Sequence, residues 1–420
     1  MEDQPPMAID SDVIVIGGGL AGMMSALTAA EKGATVRLLS HKDSTLPSAT
    51  GLIDVLGYLP TGDGPIVDPI TAVTDLPAQH PYRILGSEAI KDGLATFDSS
   101  VSNYHGAHST ANALVMTPTG SVKPTARYPA TMAPGLASDP QSTLLVGFER
   151  FLDFNAPLAA AQLDATDLGW SVRGKTIEFP GTIRPDAKPT RYAHALVDDP
   201  DTIATLAANL KEIHDGEERI GIPAIFGVDA AMQVHDALTE ATDISIFEIP
   251  MSPPSLPGKR LAGQLERVVE SAGVSMETGN PVIRAEGTDR IDHVIVEKHG
   301  AEIPYSAGQF ILATGGLIGK GLQSSRDGVT EPIFGCPITY PEDRYDWFRD
   351  EVYGDHPFAR FGVSIDACGR PLVGDEPVAT NLRAAGAVIG GCDFAAEHAG
   401  SGISIASGYV AGREAARVST

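Results

Sequence analysis

The chain predicts an α/β protein. The expected architecture is a Rossmann-like fold of the two-dinucleotide-binding-domain type, built from both ends of the sequence and interrupted by an inserted α+β cap domain. Three observations predict it. Asp12–Gly22 reads D-V-I-V-I-G-G-G-L-A-G, an apolar strand running into Gly17, Gly19 and Gly22 in the G-x-G-x-x-G spacing. Gln309–Gly316 reads Q-F-I-L-A-T-G-G, a buried strand ending in small residues. Leu382–Gly391 reads L-R-A-A-G-A-V-I-G-G, a third strand into a glycine turn.

Each glycine of the first motif has its own task. Gly17 lets the chain leave the strand in a sharp turn, Gly19 has no Cβ to keep a pyrophosphate away, and Gly22 lets the next helix lie close to the sheet. A helix is expected over Met23–Lys32, its N–H groups and positive dipole end, with Gly18, Leu20 and Ala21 in the approach, facing phosphates. Gly33 suits the helix C-terminus, and a second strand follows over Ala34–Leu39. Dinucleotide sites usually place Asp or Glu at the end of that strand to hold ribose hydroxyls. Here the end reads L-L-S-H, so Ser40 offers one hydroxyl in place of a carboxylate's two acceptors. Either a full dinucleotide is held more weakly at its ribose, or the ligand is a shorter nucleotide.

Further along, Lys42–Gly57 is a loop of small polar residues. Helices are expected at Glu88–Val101 and Pro200–His214, the second opened by acidic residues that suit a helix N-terminus. Helix Arg260–Ala272, strands Val274–Glu277, Pro281–Glu286 and His293–Lys298, and a last helix over Gly402–Arg417 complete the pattern. The expected division is 1–80 and 256–420 for the two parts of the nucleotide-binding domain and 81–255 for the cap.

Composition narrows the function. The formal charge is −24, with 10 lysines against 20 arginines. Such a surface repels nucleic acid and anionic lipid. Its even spread and scarce lysine read as adaptation to high salt, where repulsion is screened. There is no apolar run of the roughly 18 residues a membrane helix needs. The leading MEDQPPMAID has no apolar core, so it does not read as a signal peptide, and Met7 is an alternative start. The expectation is a cytoplasmic protein that meets a membrane only through a partner. Cys336, Cys368 and Cys392 lack C-x-x-C spacing, which gives no basis for a disulfide framework, an iron–sulfur cluster or another metal site.

Small residues at a strand end let the backbone lie against a cofactor, so Ala313, Thr314 and Gly315 join the fingerprint glycines in a two-part flavoprotein signature. Gly391 turns the chain near its end, and Gly402 lies where the last helix opens. That N-terminus, aimed at the pyrimidine end of a flavin, would stabilise negative charge on the reduced ring. In the loop Ser48–Asp54, Thr50 and Gly51 offer N–H groups to the flavin edge. A substrate phosphate needs cations, and the candidates are Lys123 with Arg127, Arg184 with Arg191, and Lys259 with Arg260. His194 and the rival His398 are candidate bases for a hydroxyl proton.

On these residues the chain resembles the B subunit of anaerobic glycerol-3-phosphate dehydrogenase. The resemblance is carried by V-I-G-G-G-L-A-G, by S-A-T-G-L-I-D-V-L-G from Ser48 to Gly57, by G-V-T-E-P-I-F-G from Gly328 to Gly335, and by N-L-R-A-A-G-A-V-I-G-G-C-D-F from Asn381 to Phe394. It implies a flavoprotein member of a three-protein complex, with an FAD-bearing A subunit and an iron–sulfur C subunit at the membrane. It implies oxidation of sn-glycerol 3-phosphate to dihydroxyacetone phosphate, with electrons passed to quinone. The B subunit in that family is associated with FMN, which together with Ser40 ranks FMN just ahead of FAD. Two other readings stay open. One is a non-catalytic flavin electron-relay or assembly subunit. The other is a standalone flavin oxidoreductase of fumarate-reductase or amino-acid-oxidase type.

Overall fold

The computed structural model describes residues 9–41, 44–107, 109–166, 168–181, 183–184 and 187–419. The leading segment read for a signal peptide and an alternative start lies mostly outside them. The chain divides into two compact units, one of residues 1–45, 54–102 and 264–420 and one of 46–53 and 103–263.

The first unit is built on a seven-stranded sheet. Its strand order is Ser275–Thr278, Val36–Ser40, Ile9–Ile16, Ala301–Leu312, Ile291–Lys298, Val282–Gly287, with Leu382–Ala384 also pairing with Ala301–Leu312. The apolar run Val13–Ile16 is buried on both faces, as a central parallel strand must be. Its neighbours Val36–Ser40 and Ala301–Leu312 run parallel to it, with Ile16 opposite both Leu39 and Leu312. The strand expected from Gln309 starts eight residues earlier, at Ala301. Its first half pairs antiparallel with Ile291–Lys298, where exposed Glu302 and half-exposed Ser306 break up the apolar run. Its last three residues pair parallel with Leu382–Ala384. The strand expected from Leu382 stops at Ala384, where Gly386 turns at φ +77° and donates its N–H to the Ser407 hydroxyl at 2.8 Å, ahead of the Gly390–Gly391 turn.

Helix Leu20–Glu31 is buried from Leu20 through Ala29. A helix apolar all round needs cover on every side. The sheet covers one side and the last helix, Gly400–Ser419, another. Backbone meets backbone there: a Cβ on Gly408 would lie 2.6 Å from the Ala21 carbonyl oxygen, and one on Gly412 would lie 2.3 Å from that of Ser25. Helix Ser87–Ser100, expected in the cap, packs in this unit. It buries Ile90, Leu94 and Phe97, and its Gly93 sits against Ile405 of the last helix.

The second unit carries a four-stranded, all-parallel sheet in the order Ser245–Ile249, Arg219–Pro223, Thr143–Phe148, Val172–Ile177. Thr143–Phe148 and Arg219–Pro223 are buried at every position. Helices Ala156–Asp164, Pro189–Asp198, Pro200–Ile213 and Ala231–Thr242 connect and flank these strands. This sheet is an α/β layer in its own right, a parallel order that the mixed pattern of short elements did not specify.

Candidate functional site

Strand pairing brings the carboxyl ends of the parallel strands into line: Ile16, Leu39 and Leu312 share a register, and Leu312 lies opposite Ala384. In open α/β sheets ligands bind at this edge. A cleft of about 530 Å³ opens there, entirely within the first unit. That volume falls in the usual range for a small-molecule or cofactor site.

The fingerprint turn forms one wall. Gly17, at φ +117°, donates its N–H to Leu39 O at 2.8 Å, and a Cβ there would lie 2.1 Å from the Ala313 carbonyl oxygen. A Cβ on Gly22 would lie 1.8 Å from Gly17 O, whereas Gly19 faces open space with nothing within 4 Å. The first and third glycines are thus required by the protein's own backbone, and the second is not. No side chain caps helix Leu20–Glu31, and its first turn carries no acid. The first N–H groups of the helix are therefore open to an anion.

Gly17, Gly18, Gly19, Ser40, Ala313, Thr314 and Gly315, all named from the sequence as cofactor candidates, line the cleft. The remaining cofactor candidates are placed differently. Leu20, Ala21 and Gly22 sit in the first helical turn, with the side chains of Leu20 and Ala21 buried in packing, so only their backbone faces the approach. Gly391 and Gly402 lie in this unit but do not line the cleft. Their N–H groups already donate, to Arg360 O at 2.9 Å and to Asp54 O at 2.8 Å, so the expected N–H contact from the last helix is taken by the loop that begins at Asp54. Thr50 and Gly51 belong to the second unit, where Gly51, at φ +80°, packs against Pro257 and accepts the Tyr104 hydroxyl at 2.7 Å.

Two of the proposed phosphate cations are committed elsewhere. Arg260 is buried in a fork with Glu248, at 2.5 and 2.8 Å, and also donates to Gly227 O at 2.6 Å. Burial alone would raise the Glu248 carboxyl, but Arg260, the Phe226 N–H and the Thr131 hydroxyl hold it below its ordinary value. The Arg127 side chain is buried and donates to Ala126 O at 2.9 Å. Lys123 sits half-exposed on the short strand Val122–Thr125. Arg184, Arg191 and His194 do come together, with Lys188, on an exposed face beside helix Pro189–Asp198 in the second unit. His194 lies 3.9 Å from Asp198 and is 69% exposed, a setting in open water. His398 is in the first unit, at φ +48°, its ring edge-on to Tyr58 at 5.0 Å. Neither histidine lines the cleft.

Sequence reasoning missed three features. Lys320 lines the cleft, and among the described lining residues there is no Asp or Glu, in a chain that holds 54. Glu331, inside G-V-T-E-P-I-F-G, is buried and accepts the N–H groups of Ile333, Phe334 and Cys336 at 2.9, 2.8 and 3.4 Å. Burial pushes its carboxyl above the ordinary range against the pull of those donors. It thereby fixes the turn whose Pro332 and Ile333 form part of the cleft wall. The third feature is a buried cluster of His80, Cys392 and Glu397, whose ligand-type atoms lie within 4.8 Å of one another. Metal chemistry does not fit its hydrogen bonding. His80 Nδ1 accepts the Tyr82 N–H at 3.1 Å, which leaves the ring proton on Nε2, 3.0 Å from Glu397 Oε2. A metal would need the Nε2 lone pair.

Fold and cleft together define an FAD-type flavoprotein oxidoreductase domain, and residues 12–403 match a family model described as FAD binding domain. The chain is 53% identical over 421 residues to the probable B subunit of anaerobic glycerol-3-phosphate dehydrogenase from Halobacterium salinarum, spanning 98% of this chain and 99% of that protein. It is 30% identical over 410 residues to the B subunit of anaerobic glycerol-3-phosphate dehydrogenase from Pectobacterium atrosepticum, spanning 94% of this chain and 96% of that protein. Among solved structures it is similar to an open conformation of a flavocytochrome c3 fumarate reductase, with a TM-score of 0.47 and 11% identity over 99% of this chain and 79% of that one. The chain belongs to the B-subunit family of anaerobic glycerol-3-phosphate dehydrogenase.

Proposed function

We propose that this chain is the flavoprotein subunit of a respiratory dehydrogenase that oxidises sn-glycerol 3-phosphate to dihydroxyacetone phosphate. The observation that carries the flavin part is the cleft itself, where Gly19 is open, the helix N-terminus is uncapped and no described lining residue is acidic. The substrate is taken from the names of the relatives. The flavin we propose is FAD. The preference for FMN drawn from the resemblance and Ser40 finds no support in a match to an FAD binding domain. Ser40, at the cleft wall, would then give the ribose a single hydroxyl contact.

Bound flavin supplies a two-electron acceptor for hydride. The chain's own part is to hold the phosphates at Gly17–Gly19, to keep the ring end against Ala313–Gly315, and to accept the substrate's hydroxyl proton. For that proton we carry His398 forward over His194, because it shares a unit with the cleft and is half-buried. Electrons would leave through an FAD-bearing A subunit and an iron–sulfur C subunit to quinone, and those partners would supply any membrane contact. No helix among the described residues is long and apolar enough to cross a membrane.

One observation favours the relay reading as the second choice: Arg127 and Arg260 are occupied, which removes two of the cations proposed for substrate phosphate. A single experiment separates the two. The purified chain is checked for released FAD or FMN by chromatography and then mixed anaerobically with glycerol 3-phosphate. Bleaching of the yellow spectrum supports catalysis here. A yellow chain that stays oxidised moves the reaction to a partner, and a colourless chain that binds no added flavin sinks the whole reading.

A further inference from the structure

Beside the fingerprint turn lies a second glycine-rich turn, A-T-G-G-L-I-G-K-G from Ala313 to Gly321, and its last three residues line the same cleft. We propose that the end of this turn, Gly319–Gly321, is a second phosphate-holding wall of the cleft, with the Lys320 ammonium pairing a phosphate ester. The proposal rests on the reading that the cleft takes a flavin nucleotide and adds a residue that neither fingerprint nor family name points to.

Four observations carry it. Lys320 is the one lysine or arginine among the described lining residues, and no described carboxylate is there to neutralise it. A lone cation in a wall free of acids, on a chain of charge −24, selects an anion. The backbone at Lys320 is left-handed, at φ +63°, a conformation that costs a non-glycine residue about 1 kcal/mol or more and that clusters at ligand sites. Glycine flanks it on both sides, and the lysine itself stands at the strained position between them. The turn is also closed tightly, with Lys320 N donating to Leu317 O at 3.3 Å and Gly321 N to Gly316 O at 3.1 Å. A Cβ on Gly321 would lie 2.0 Å from Gly315 O. Finally, the Thr314 Oγ1 atom is buried with no hydrogen-bond partner, on a residue that lines the cleft. Buried hydroxyls are nearly always satisfied, and a ligand oxygen would satisfy this one.

The phosphate has two possible owners, the flavin nucleotide or a phosphorylated substrate, and the experiment separates them. Full-length wild type, Lys320→Gln and Lys320→Arg are stripped of flavin, checked by thermal melting, and titrated with FAD, FMN and riboflavin by flavin fluorescence at one fixed salt concentration. If Lys320 holds the cofactor's phosphate, Lys320→Gln weakens FAD and FMN about tenfold and leaves riboflavin, which has no phosphate, unchanged, while Lys320→Arg keeps most of the affinity. If it holds the substrate's phosphate, all three flavins bind as in wild type and the KM for glycerol 3-phosphate rises about tenfold at constant kcat. Unchanged constants throughout, or a loss for riboflavin equal to that for FAD, overturn the proposal. A wild type that binds none of the three flavins overturns the flavin reading itself, a result distinct from a failure confined to Lys320.

Discussion

Gly19→Ala and Gly22→Ala add the same methyl group to one motif, three residues apart, and the structure assigns them opposite consequences. At Gly22 the new Cβ would lie 1.8 Å from Gly17 O, where ordinary contact begins at 3.4 Å. Helix and strand would have to part by more than an ångström, and overpacking of that kind costs about 1–3 kcal/mol. At Gly19 nothing lies within 4 Å and the backbone is extended, at φ −78° and ψ −178°. Alanine there gains about 0.4–1 kcal/mol from a stiffer unfolded chain. It loses a comparable amount as a poorer N-cap. Flavin-stripped Gly19→Ala should therefore melt within about 1 °C of wild type, and Gly22→Ala roughly 2–6 °C lower. Flavin affinity should invert the ranking of direct effects. The Gly19 methyl stands where phosphate oxygens approach and should weaken FAD at least about tenfold, or roughly 1.4 kcal/mol. Differential scanning fluorimetry and flavin titration give both numbers. The reasoning is refuted if stripped Gly19→Ala melts as low as Gly22→Ala, or binds FAD as tightly as wild type.

Arg260→Met should destabilise the second unit by about 3–5 kcal/mol, because it leaves the buried Glu248 carboxylate without its partner. Pairing it with Glu248→Gln should recover most of that loss, and a KM for glycerol 3-phosphate that stays at the wild-type value in the double variant confirms a purely structural role. The pH dependence follows from the same pair. The folded-state pKa of Glu248 lies below its ordinary value of 4.5, so its contribution is complete above that pH and lost as pH falls below it. Urea melts between pH 7 and pH 3 should show a shallower acid limb in the double variant than in wild type. Salt should act on the whole chain. At a net charge of −24, lowering KCl from about 1 M to about 0.1 M lengthens the screening distance from about 3 to about 10 Å and should lower the melting temperature, whereas a chain indifferent to that change is not salt-adapted in the sense proposed.

The carboxyl edge of the first unit's sheet was legible because its constraints are local. Gly17 and Gly22 answer to backbone atoms of the same turn, and the apolar runs at Val13–Ile16 and Phe310–Leu312 can only be buried strands. Helix ends were legible to within a few residues for the same reason, as at Gly33, which closes its helix at φ +91°. What was not legible depended on contacts between distant segments. Nothing near Gly402 in sequence shows that Asp54 takes its N–H, and nothing near Arg260 shows Glu248 waiting for it. Glu88–Val101 reads as an amphipathic helix in any setting, so the pattern alone could not say that it belongs with the last helix rather than with the cap. Lys320 was passed over because a lysine between glycines on a loop reads as ordinary surface until the sheet edge brings it beside Gly17–Gly19.

The meeting of Gly408 and Gly412 with Ala21 and Ser25 has a consequence for how the protein is made. Synthesis delivers helix Leu20–Glu31 long before Gly400–Ser419, with Ala301–Leu312 arriving late between them. A nascent chain on the ribosome therefore carries an oily helix and a central strand missing one flank, and it must be shielded until release. Deletion of Gly400–Ser419 would remove that cover, leaving a product prone to aggregate before it can capture its cofactor.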